Sequence, residues 1–289
     1  MKGFHALGYA LLLFAGYAAI IPSADSVIPD GILTIFQSHR VIGEDFLLRT
    51  DRPRFVLVGS SLSAVLPQRA LRPVYNLAMS GGSTLTGMRL IDAMEGAPQL
   101  VFIEANVLIR PADEELLAEL LNPISLRIKR LCAACRTRNQ PTTVALSYVS
   151  KLRLKPLSEE EQDRLNMMAR PNDDRLRRMS AVQIEGASSA VDKIALGKVL
   201  SALSSLMDDL ERRGTRIVFV EMPMHPDVAN TPYYQSILPA VKARFPAARY
   251  QWLTFSDRTY ETSDGAHLIY SEASVVARRI ADFAAGSPR

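Results

Sequence analysis

RFVLV, residues Arg54–Val58, is the first of five short apolar runs that decide the fold. The others are VYNL at Val74–Leu77, LVFIE at Leu100–Glu104, RIVFVE at Arg216–Glu221 and YQWL at Tyr250–Leu253. Their apolar character is continuous rather than alternating, which is typical of strands buried on both faces of a parallel sheet. The runs therefore predict a mostly parallel five-stranded sheet.

Helical patterns separate most of these runs. Leu85, Met88 and Ile91 recur at helical spacing, and a longer apolar stripe extends from Ile194 to Leu210. Alternating strands and helices predict an α/β fold, a three-layer α/β/α sandwich in which ligands bind at the carboxyl ends of the strands. Functional side chains are therefore expected directly after the strands.

Length and composition agree with one such domain. The chain has 289 residues, 48% of them hydrophobic, which is enough to bury one large core. Its formal net charge is only +4, and the basic residues do not form a stripe with aromatic residues between them. Nucleic acid is therefore not expected as a partner.

The N-terminal region is strongly apolar. Residues Phe4–Ile21 follow Lys2 and carry no formal charge, and their number is close to the ~20 residues that cross a bilayer as a helix. Residues 1–25 are thus predicted to be an uncleaved signal anchor, or alternatively a signal peptide cleaved near Ser23-Ala24. A third interpretation is a buried N-terminal helix.

The two export interpretations have the same consequence for location. Because Lys2 precedes the apolar stretch, the positive-inside tendency puts the remaining chain on the extracytoplasmic side, either membrane-anchored or secreted after cleavage. An α/β domain is then predicted over residues 26–289.

A segment at about residues 151–192 fits this domain poorly. It is rich in Arg, Asp, Glu and Met and contains Pro156 and Pro171. We interpret it as an insertion that forms a lid or a partner surface, or alternatively as a solvated helical excursion without a role.

The cysteines give no strong indication of a metal or redox site. Cys132 and Cys135 have the Cys-Ala-Ala-Cys spacing of a redox pair or of half a metal site. No second cysteine pair or histidine cluster completes a zinc set, and the surrounding pattern suits small apolar side chains on a helix. Neither a metal nor a cofactor is expected.

A serine-rich turn, Gly59-Ser60-Ser61, directly follows the first predicted strand. A nucleophile would be placed at this end of a buried strand, but a serine hydroxyl needs an adjacent base to react. Taken alone, the turn is more typical of a helix N-cap than of a nucleophile.

An acid and a histidine stand three residues apart in Asp264-Gly265-Ala266-His267, just before the last helical pattern. A carboxylate on the same short loop can reach the imidazole, fix its tautomer and stabilise its protonated form. The sequence thus offers a base with its orienting group.

Only four histidines are present, and three are less suited to act as the base. His5 lies in the apolar N-terminal stretch, His39 precedes the first strand, and His225 follows the fourth. Elimination favours His267. His225 either lines a substrate pocket or is a packed or capping residue.

Three sequence blocks together resemble the SGNH (GDSL) hydrolase superfamily. GSSLS at residues 59–63 resembles the first block, Gly-Asp-Ser-Leu-Ser, and NLAMSGGST at 76–84 is similar to the second. DGAHL at 264–268 resembles the last block, and the blocks stand in the family order. The resemblance implies an SGNH or flavodoxin-like fold.

The resemblance also implies roles for individual residues. Ser61 matches the nucleophile, with His267 and Asp264 completing the triad. The backbone N–H groups of Ser61 and Gly81 match oxyanion donors, and Asn106 matches the side-chain donor of the third block.

Two of the sequence blocks depart from the family pattern. Residue 60 is Ser where the family usually has Asp, and the third block, typically Gly-x-Asn-Asp, reads Glu104-Ala105-Asn106-Val107. Ser60 is then expected to be a local turn or cap hydrogen-bonding residue that borders the substrate pocket.

The altered third block of this chain is similar to the third blocks of exported SGNH-like proteins that accompany membrane-bound O-acyltransferases. This similarity implies an O-acetyltransferase or O-acetylesterase of an exported polysaccharide or envelope glycan. Its partners would be an acyl ester donor, a glycan or small ester acceptor, and a membrane-bound O-acyltransferase. The alternatives are a lipase or thioesterase, and a non-catalytic glycan-binding or assembly subunit.

Overall fold

The structure, a computed structural model, describes residues 2–20, 33–153 and 159–286. Two compact units divide the chain, one spanning Met1–Arg49 and Ala118–Pro156, the other Thr50–Leu117 and Leu157–Arg289. The predicted insertion at about 151–192 is therefore split between them. The predicted cleavage site and the domain start at residue 26 lie outside the described residues.

The second unit contains a five-stranded sheet in which all strands are parallel. Its strands are β1 (Phe55–Val58), β2 (Tyr75–Asn76), β3 (Leu100–Glu104), β4 (Arg216–Val220) and β5 (Gln251–Leu253). The prediction of an α/β fold with a parallel five-stranded sheet is confirmed. Each strand lies within its predicted apolar run.

The order of the strands explains their composition. The sheet runs β2-β1-β3-β4-β5, so β1 and β3 are interior strands, and every residue of both is buried. At the edge, β5 exposes Gln251. Because all strands are parallel, their carboxyl ends meet at one edge of the sheet.

Helices follow most of the strands. In chain order they are α1 (Lys2–Ile20), α2 (Ile35–Leu47), α3 (Ser61–Ala64), α4 (Gln68–Leu71), α5 (Thr84–Asp92), α6 (Glu114–Leu120), α7 (Pro123–Leu131), α8 (Pro141–Arg153), α9 (Glu159–Met168), α10 (Asp173–Gly186), α11 (Lys193–Arg212), α12 (Pro226–Ala229), α13 (Pro232–Arg244) and α14 (Tyr270–Ala285). Short 3₁₀ turns lie at Ala133–Cys135 and Thr137–Asn139.

The core of the second unit forms between the sheet and amphipathic helices. On α14, Ala273, Val276 and Ile280 are buried against the strand residues Phe102 and Val218. Burial of side chains of this size stabilises the fold by about 1.5 to 3 kcal/mol for each large residue.

The long stripe predicted from Ile194 to Leu210 coincides with α11, which packs against α5. Val199, Leu203 and Leu210 form part of its buried face. Ile194 is 72% exposed, so the predicted stripe is wrong at its first residue.

A buried carboxylate joins elements of the first unit through hydrogen bonds and an ion pair. Glu44 on α2 accepts hydrogen bonds from the backbone N–H and the hydroxyl of Thr137, and pairs with Lys129 at 2.7 Å. Cys132 terminates α7, and Cys135 lies in the following 3₁₀ turn, with 2.7 Å between the Sγ atoms. The two cysteines therefore do not share one α-helix.

The apolar N-terminal stretch is helical over α1. Across residues 2–20, 33–153 and 159–286, no helix has the length and apolarity needed to cross a membrane. The membrane helix predicted over Phe4–Ile21 is thus not shown.

Candidate active site

Three polar side chains from distant parts of the sequence meet at the carboxyl end of β1. His267 Nε2 lies 2.8 Å from Ser61 Oγ, and His267 Nδ1 lies 2.7 Å from Asp264 Oδ2. The structure thus brings together the three residues predicted as nucleophile, base and orienting acid. These contacts have the order that activates a serine hydroxyl in acyl transfer.

Ser61 owes its position to the turn that follows β1. β1 ends at Val58, and Ser60 caps α3 by accepting a hydrogen bond from the N–H of Leu62. Ser61 is then the first residue of α3 and is only partly buried. In parallel sheets of this strand order, ligands bind at the switch point beside β1 and β3.

The loop that carries Asp264 and His267 is closed by its own hydrogen bonds. Asp264 Oδ1 accepts the backbone N–H groups of Ala266 at 3.0 Å and His267 at 2.7 Å. An antiparallel bridge joins Thr262 and Leu268 on either side of the loop. These bonds hold the acid and the base in one arrangement.

Gly265 is required at the tip of this loop. Its φ is +89°, in the left-handed region that favours glycine. A Cβ there would also lie 2.6 Å from Val228 Cγ2. A larger residue would displace the loop and with it the Asp264 and His267 side chains on either side of its tip.

Asp264 remains ionised in this setting. Burial acts to raise the pKa of its carboxyl, but the hydrogen bonds from the His267 ring and backbone outweigh that effect and lower the pKa to about 2. An ionised carboxylate at Nδ1 fixes the tautomer in which Nε2 can accept the serine proton.

The backbone N–H groups of Ser61 and Gly81 are the donors that the sequence predicts for an oxyanion. Across the described part of the chain, the N–H groups of Ser61 and Gly81 have no hydrogen-bond acceptor. The N–H of Met79 donates to Gly59 O at 3.1 Å, which holds the loop containing Gly81 alongside the serine turn. Gly81 has φ +71°, in the left-handed region that favours glycine.

Asn106 is buried and already has two hydrogen bonds. Its Nδ2 donates to Met222 O at 3.0 Å, and its Oδ1 accepts the N–H of Met222 at 2.7 Å. The side chain thus joins the loops that follow β3 and β4. A carboxamide has two N–H hydrogens, so one remains for another acceptor.

His225 contacts the loop that carries Asp264 and His267 through its backbone. Its N–H donates to Gly265 O at 2.8 Å, while its ring accepts the N–H of Asp227 and caps α12. A cavity of about 360 Å³ lies nearby, at the carboxyl ends of β4 and β5, and Asn106, Met222 and Tyr234 are among its lining residues. His225, Ser61 and His267 do not line this cavity.

Glu104, a residue for which the sequence predicted no role, contacts the serine turn directly. Its Oε2 accepts the N–H groups of Ser60 at 2.9 Å and Ser63 at 3.0 Å, and its Oε1 accepts the Ser60 hydroxyl at 2.5 Å. The turn therefore receives its carboxylate from residue 104, whereas the resemblance of the first block led us to expect one at residue 60.

The sequence contained a signal for this contact. The departures at residues 60 and 104 are complementary, because one removes a carboxylate and the other adds one. Burial raises the pKa of Glu104, and the hydrogen bonds from Ser60 and Ser63 oppose that rise.

We expect Glu104→Gln to change how stability depends on pH. Because the folded-state pKa is raised above the ordinary value of 4.5, the folded protein binds the proton more tightly than the unfolded chain. The wild type should therefore lose stability as the pH rises from below 4.5 through the folded-state pKa. Glutamine does not titrate, so the variant should lack this loss.

Urea unfolding across that pH range measures the effect. Glu185→Gln, an exposed change of the same kind on α10, is the matched control and should follow the wild type. Identical pH profiles for Glu104→Gln and the wild type would contradict the raised pKa.

No cluster of three or more His, Cys, Asp or Glu side chains within the described ranges is arranged to hold a metal ion. A comparison of the sequence with protein-family models finds no matching family, and a comparison with curated proteins finds no match.

Proposed function

We propose that this protein is a serine-dependent acyl-transfer enzyme that acts on esters. The observation that carries the proposal is the continuous contact from Ser61 Oγ through the His267 ring to Asp264, at 2.8 and 2.7 Å. Such a contact activates a hydroxyl that is otherwise a poor nucleophile.

The first half-reaction forms an acyl-enzyme. Ser61 Oγ attacks the ester carbonyl while His267 Nε2 takes the hydroxyl proton, and Asp264 stabilises the resulting imidazolium. The backbone N–H groups of Ser61 and Gly81, with the remaining N–H of Asn106, receive the oxyanion. Each such donor contributes about 2.7 to 4 kcal/mol in comparable sites. Collapse of the first tetrahedral intermediate completes this half-reaction, because it breaks the ester C–O bond while His267 donates its proton to the departing alkoxide.

The second half-reaction regenerates the serine. His267 deprotonates a second acceptor as it attacks the acyl-serine carbonyl, and collapse of the second intermediate breaks the bond between Ser61 Oγ and the acyl carbon while His267 returns the proton to Oγ. Water as that acceptor gives an esterase, and a sugar hydroxyl gives an O-acyltransferase.

The fold class we assign is the three-layer SGNH or flavodoxin-like sandwich. The strand order β2-β1-β3-β4-β5 supports this assignment, since it is the flavodoxin-like order. The three sequence blocks that resemble the SGNH hydrolases contain Ser61, Gly81, Asp264 and His267, so the same blocks supply the catalytic side chains.

The substrate we assign is an O-acetyl ester on a polysaccharide or envelope glycan. The cavity beside Asn106 combines neutral polar residues, Asn230, Gln235 and Thr259 among them, with apolar residues such as Met224 and Leu238. Such a mixed lining suits the hydroxyl groups and the carbon skeleton of a sugar. The charged lining residues are already paired within the protein. Glu221 pairs with Lys242 at 2.7 Å, and Arg258 pairs with Glu272.

Labelling with a fluorophosphonate tests the proposal, because only an activated serine reacts readily with it. We expect stoichiometric modification of Ser61 in the wild type and none in Ser61→Ala. Ser60→Ala should still be labelled, since the Ser60 hydroxyl is buried and bonded to Glu104.

Peptide mapping of the labelled protein identifies the modified serine. Labelling at Ser60 would transfer the nucleophile to that residue. A wild type that is inert to the reagent and to acetyl esters would instead favour a non-catalytic glycan-binding or assembly role.

A further inference from the structure

The catalytic acid has a fourth hydrogen-bond donor, which comes from the segment predicted as an insertion. Gln183 on α10 donates from Nε2 to Asp264 Oδ2 at 3.0 Å. The same oxygen contacts His267 Nδ1, while Oδ1 accepts the backbone N–H groups of Ala266 and His267. With Gln183, each carboxylate oxygen has two donors.

The backbone of the catalytic loop lies close to the same helix. Ser180 is one turn before Gln183, and a Cβ on Gly265 would lie 3.0 Å from Ser180 Oγ. This separation leaves no room for a side chain at Gly265. α10 therefore covers the tip of the loop and brings Gln183 within reach of the acid.

Polar contacts attach α9 and the turn after it to residues before and after the loop that carries Asp264 and His267. Asp163 on α9 accepts hydrogen bonds from Tyr270 Oη at 2.5 Å and Arg69 Nη1 at 3.1 Å. Arg170, between α9 and α10, pairs with Glu261 at 2.8 Å. The helix pair is thus fixed at residue 261, before the loop, and at residue 270, after it.

We propose that Gln183 is a positioning residue that holds the Asp264 carboxylate in the plane and rotation required by His267. The inference rests on the proposed function, because it assigns a role within that same triad. It gives the α9–α10 segment a definite task, which is to complete the hydrogen-bonding of the catalytic acid.

A single carboxamide matters here because, in the described part of the chain, it is the one donor to Oδ2 besides the imidazole itself. Two backbone N–H groups hold Oδ1, whereas without Gln183 the position of Oδ2 depends on the contact with His267 alone. Misplacement of a catalytic group by about 1 Å costs roughly 100-fold in rate. We therefore expect Gln183→Leu to lower kcat about 10- to 100-fold, with little change in KM.

The titratable groups around Asp264 are few. His267 faces it from the same loop, Tyr234 faces it from α13, and His225 contacts Gly265 through its backbone. Burial, assisted by Tyr233, Glu104 and Asp264, raises the pKa of Tyr234 to about 12, so its phenol stays neutral over the working range. A pH-dependent change in kcat that a substitution at residue 183 introduces can thus be distinguished from the titration of these groups.

Gln183→Glu separates positioning from simple packing. The introduced carboxyl has nearly the size of the amide, and the nearby Asp264 raises its pKa. At low pH it is protonated and can donate to Asp264 Oδ2. As the pH rises it ionises, so the hydrogen bond is replaced by repulsion between two carboxylates.

The measurement is the ratio of variant to wild-type kcat across the pH range. We expect the ratio for Gln183→Glu to fall as the pH rises, and the ratio for Gln183→Leu to stay low and constant. Val182→Glu is the matched control, because residue 182 is 60% exposed on the same helix. Its ratio should stay near that of the wild type throughout.

A spectroscopic signature accompanies the kinetics. The downfield proton resonance of His267 Nδ1–H reports its hydrogen bond to Asp264, and it should shift or broaden in Gln183→Leu. Substitutions that only loosen packing would lower the melting temperature without moving this resonance.

The outcomes separate this inference from its premise. A wild type that neither takes the fluorophosphonate nor turns over acetyl esters would defeat the proposed function itself. An active wild type, with Gln183→Leu equally active or a flat pH ratio for Gln183→Glu, would overturn only the role of Gln183.

Discussion

Ser61→Ala and His267→Ala are each expected to lower turnover of a chromogenic acetyl ester about a millionfold, as in comparable triads. The reason is geometric, since Ser61 Oγ lies 2.8 Å from His267 Nε2 and neither group has a substitute nearby. Both variants should fold, because each changes one partly buried side chain outside the apolar core. Steady-state kinetics and circular dichroism together measure the effect.

The double variant provides the control for this prediction. When two residues act as a unit, removing one already removes the contribution of the other to catalysis. Ser61→Ala combined with His267→Ala should therefore be little worse than either change alone. Multiplied losses in the double variant would mean that the serine and the histidine act separately. Retained activity in Ser61→Ala would place the nucleophile elsewhere.

Much of the fold follows from apolar runs that the sequence shows directly. The strands were found because β1 and β3 are buried on both faces, so their residues are apolar except for Glu104, whose carboxylate is hydrogen-bonded to the serine turn. The errors lie at the strand ends. Arg54 and Glu221 were included as strand residues, but β1 begins at Phe55 and β4 ends at Val220.

The division of the chain was not predictable in the same way. Residues Ala118–Pro156 group with the N-terminal residues and not with the sheet. No Gly- or Pro-rich linker marks residue 118, and the chain passes this boundary inside α6. Local patterns report neighbours in sequence, so a unit assembled from two distant segments leaves no local signal.

The contact between Asp264 and His267 was predictable because the two residues are three positions apart in one loop. For Glu104 the sequence showed only the complementary departures at residues 60 and 104, and its contact with Ser60 depends on the register that pairs Val58 with Ile103. Gln183 and Asp264 are 81 residues apart, and nothing in the helical pattern of α10 indicates which side chain meets the acid. The sequence thus indicated Ser61, Asp264 and His267, which the structure brings into contact, but it did not indicate the residues that contact them from other elements.

Asn106→Ala is expected to lower kcat about 100- to 1000-fold with little change in KM, because the hydrogen bond to the oxyanion forms mainly in the transition state. A second effect follows from the structure. Removing the carboxamide leaves the buried N–H and C=O of Met222 without partners, at a cost of about 1 to 3 kcal/mol for each group. The melting temperature should therefore fall as well.

A matched control separates these two effects. Thr215 is buried, its hydroxyl donates to Pro98 O at 2.7 Å, and it lies just before β4, at the end of the strand away from the site. Thr215→Ala also breaks a buried hydrogen bond to backbone, so it should lower the melting temperature while kcat stays close to the wild-type value.

Asn106→Asp then decides what the carboxamide does. Aspartate keeps an oxygen that can accept the N–H of Met222, but an ionised carboxylate has no hydrogen to donate and its charge repels an oxyanion. Alanine leaves space in which a water molecule can donate instead. If Asn106 serves the oxyanion, Asn106→Asp must therefore be at least as impaired in kcat as Asn106→Ala at neutral pH. If its role is confined to joining the loops after β3 and β4, the order reverses, because aspartate keeps one of the two bonds to Met222. In that case the oxyanion is left to the N–H groups of Ser61 and Gly81.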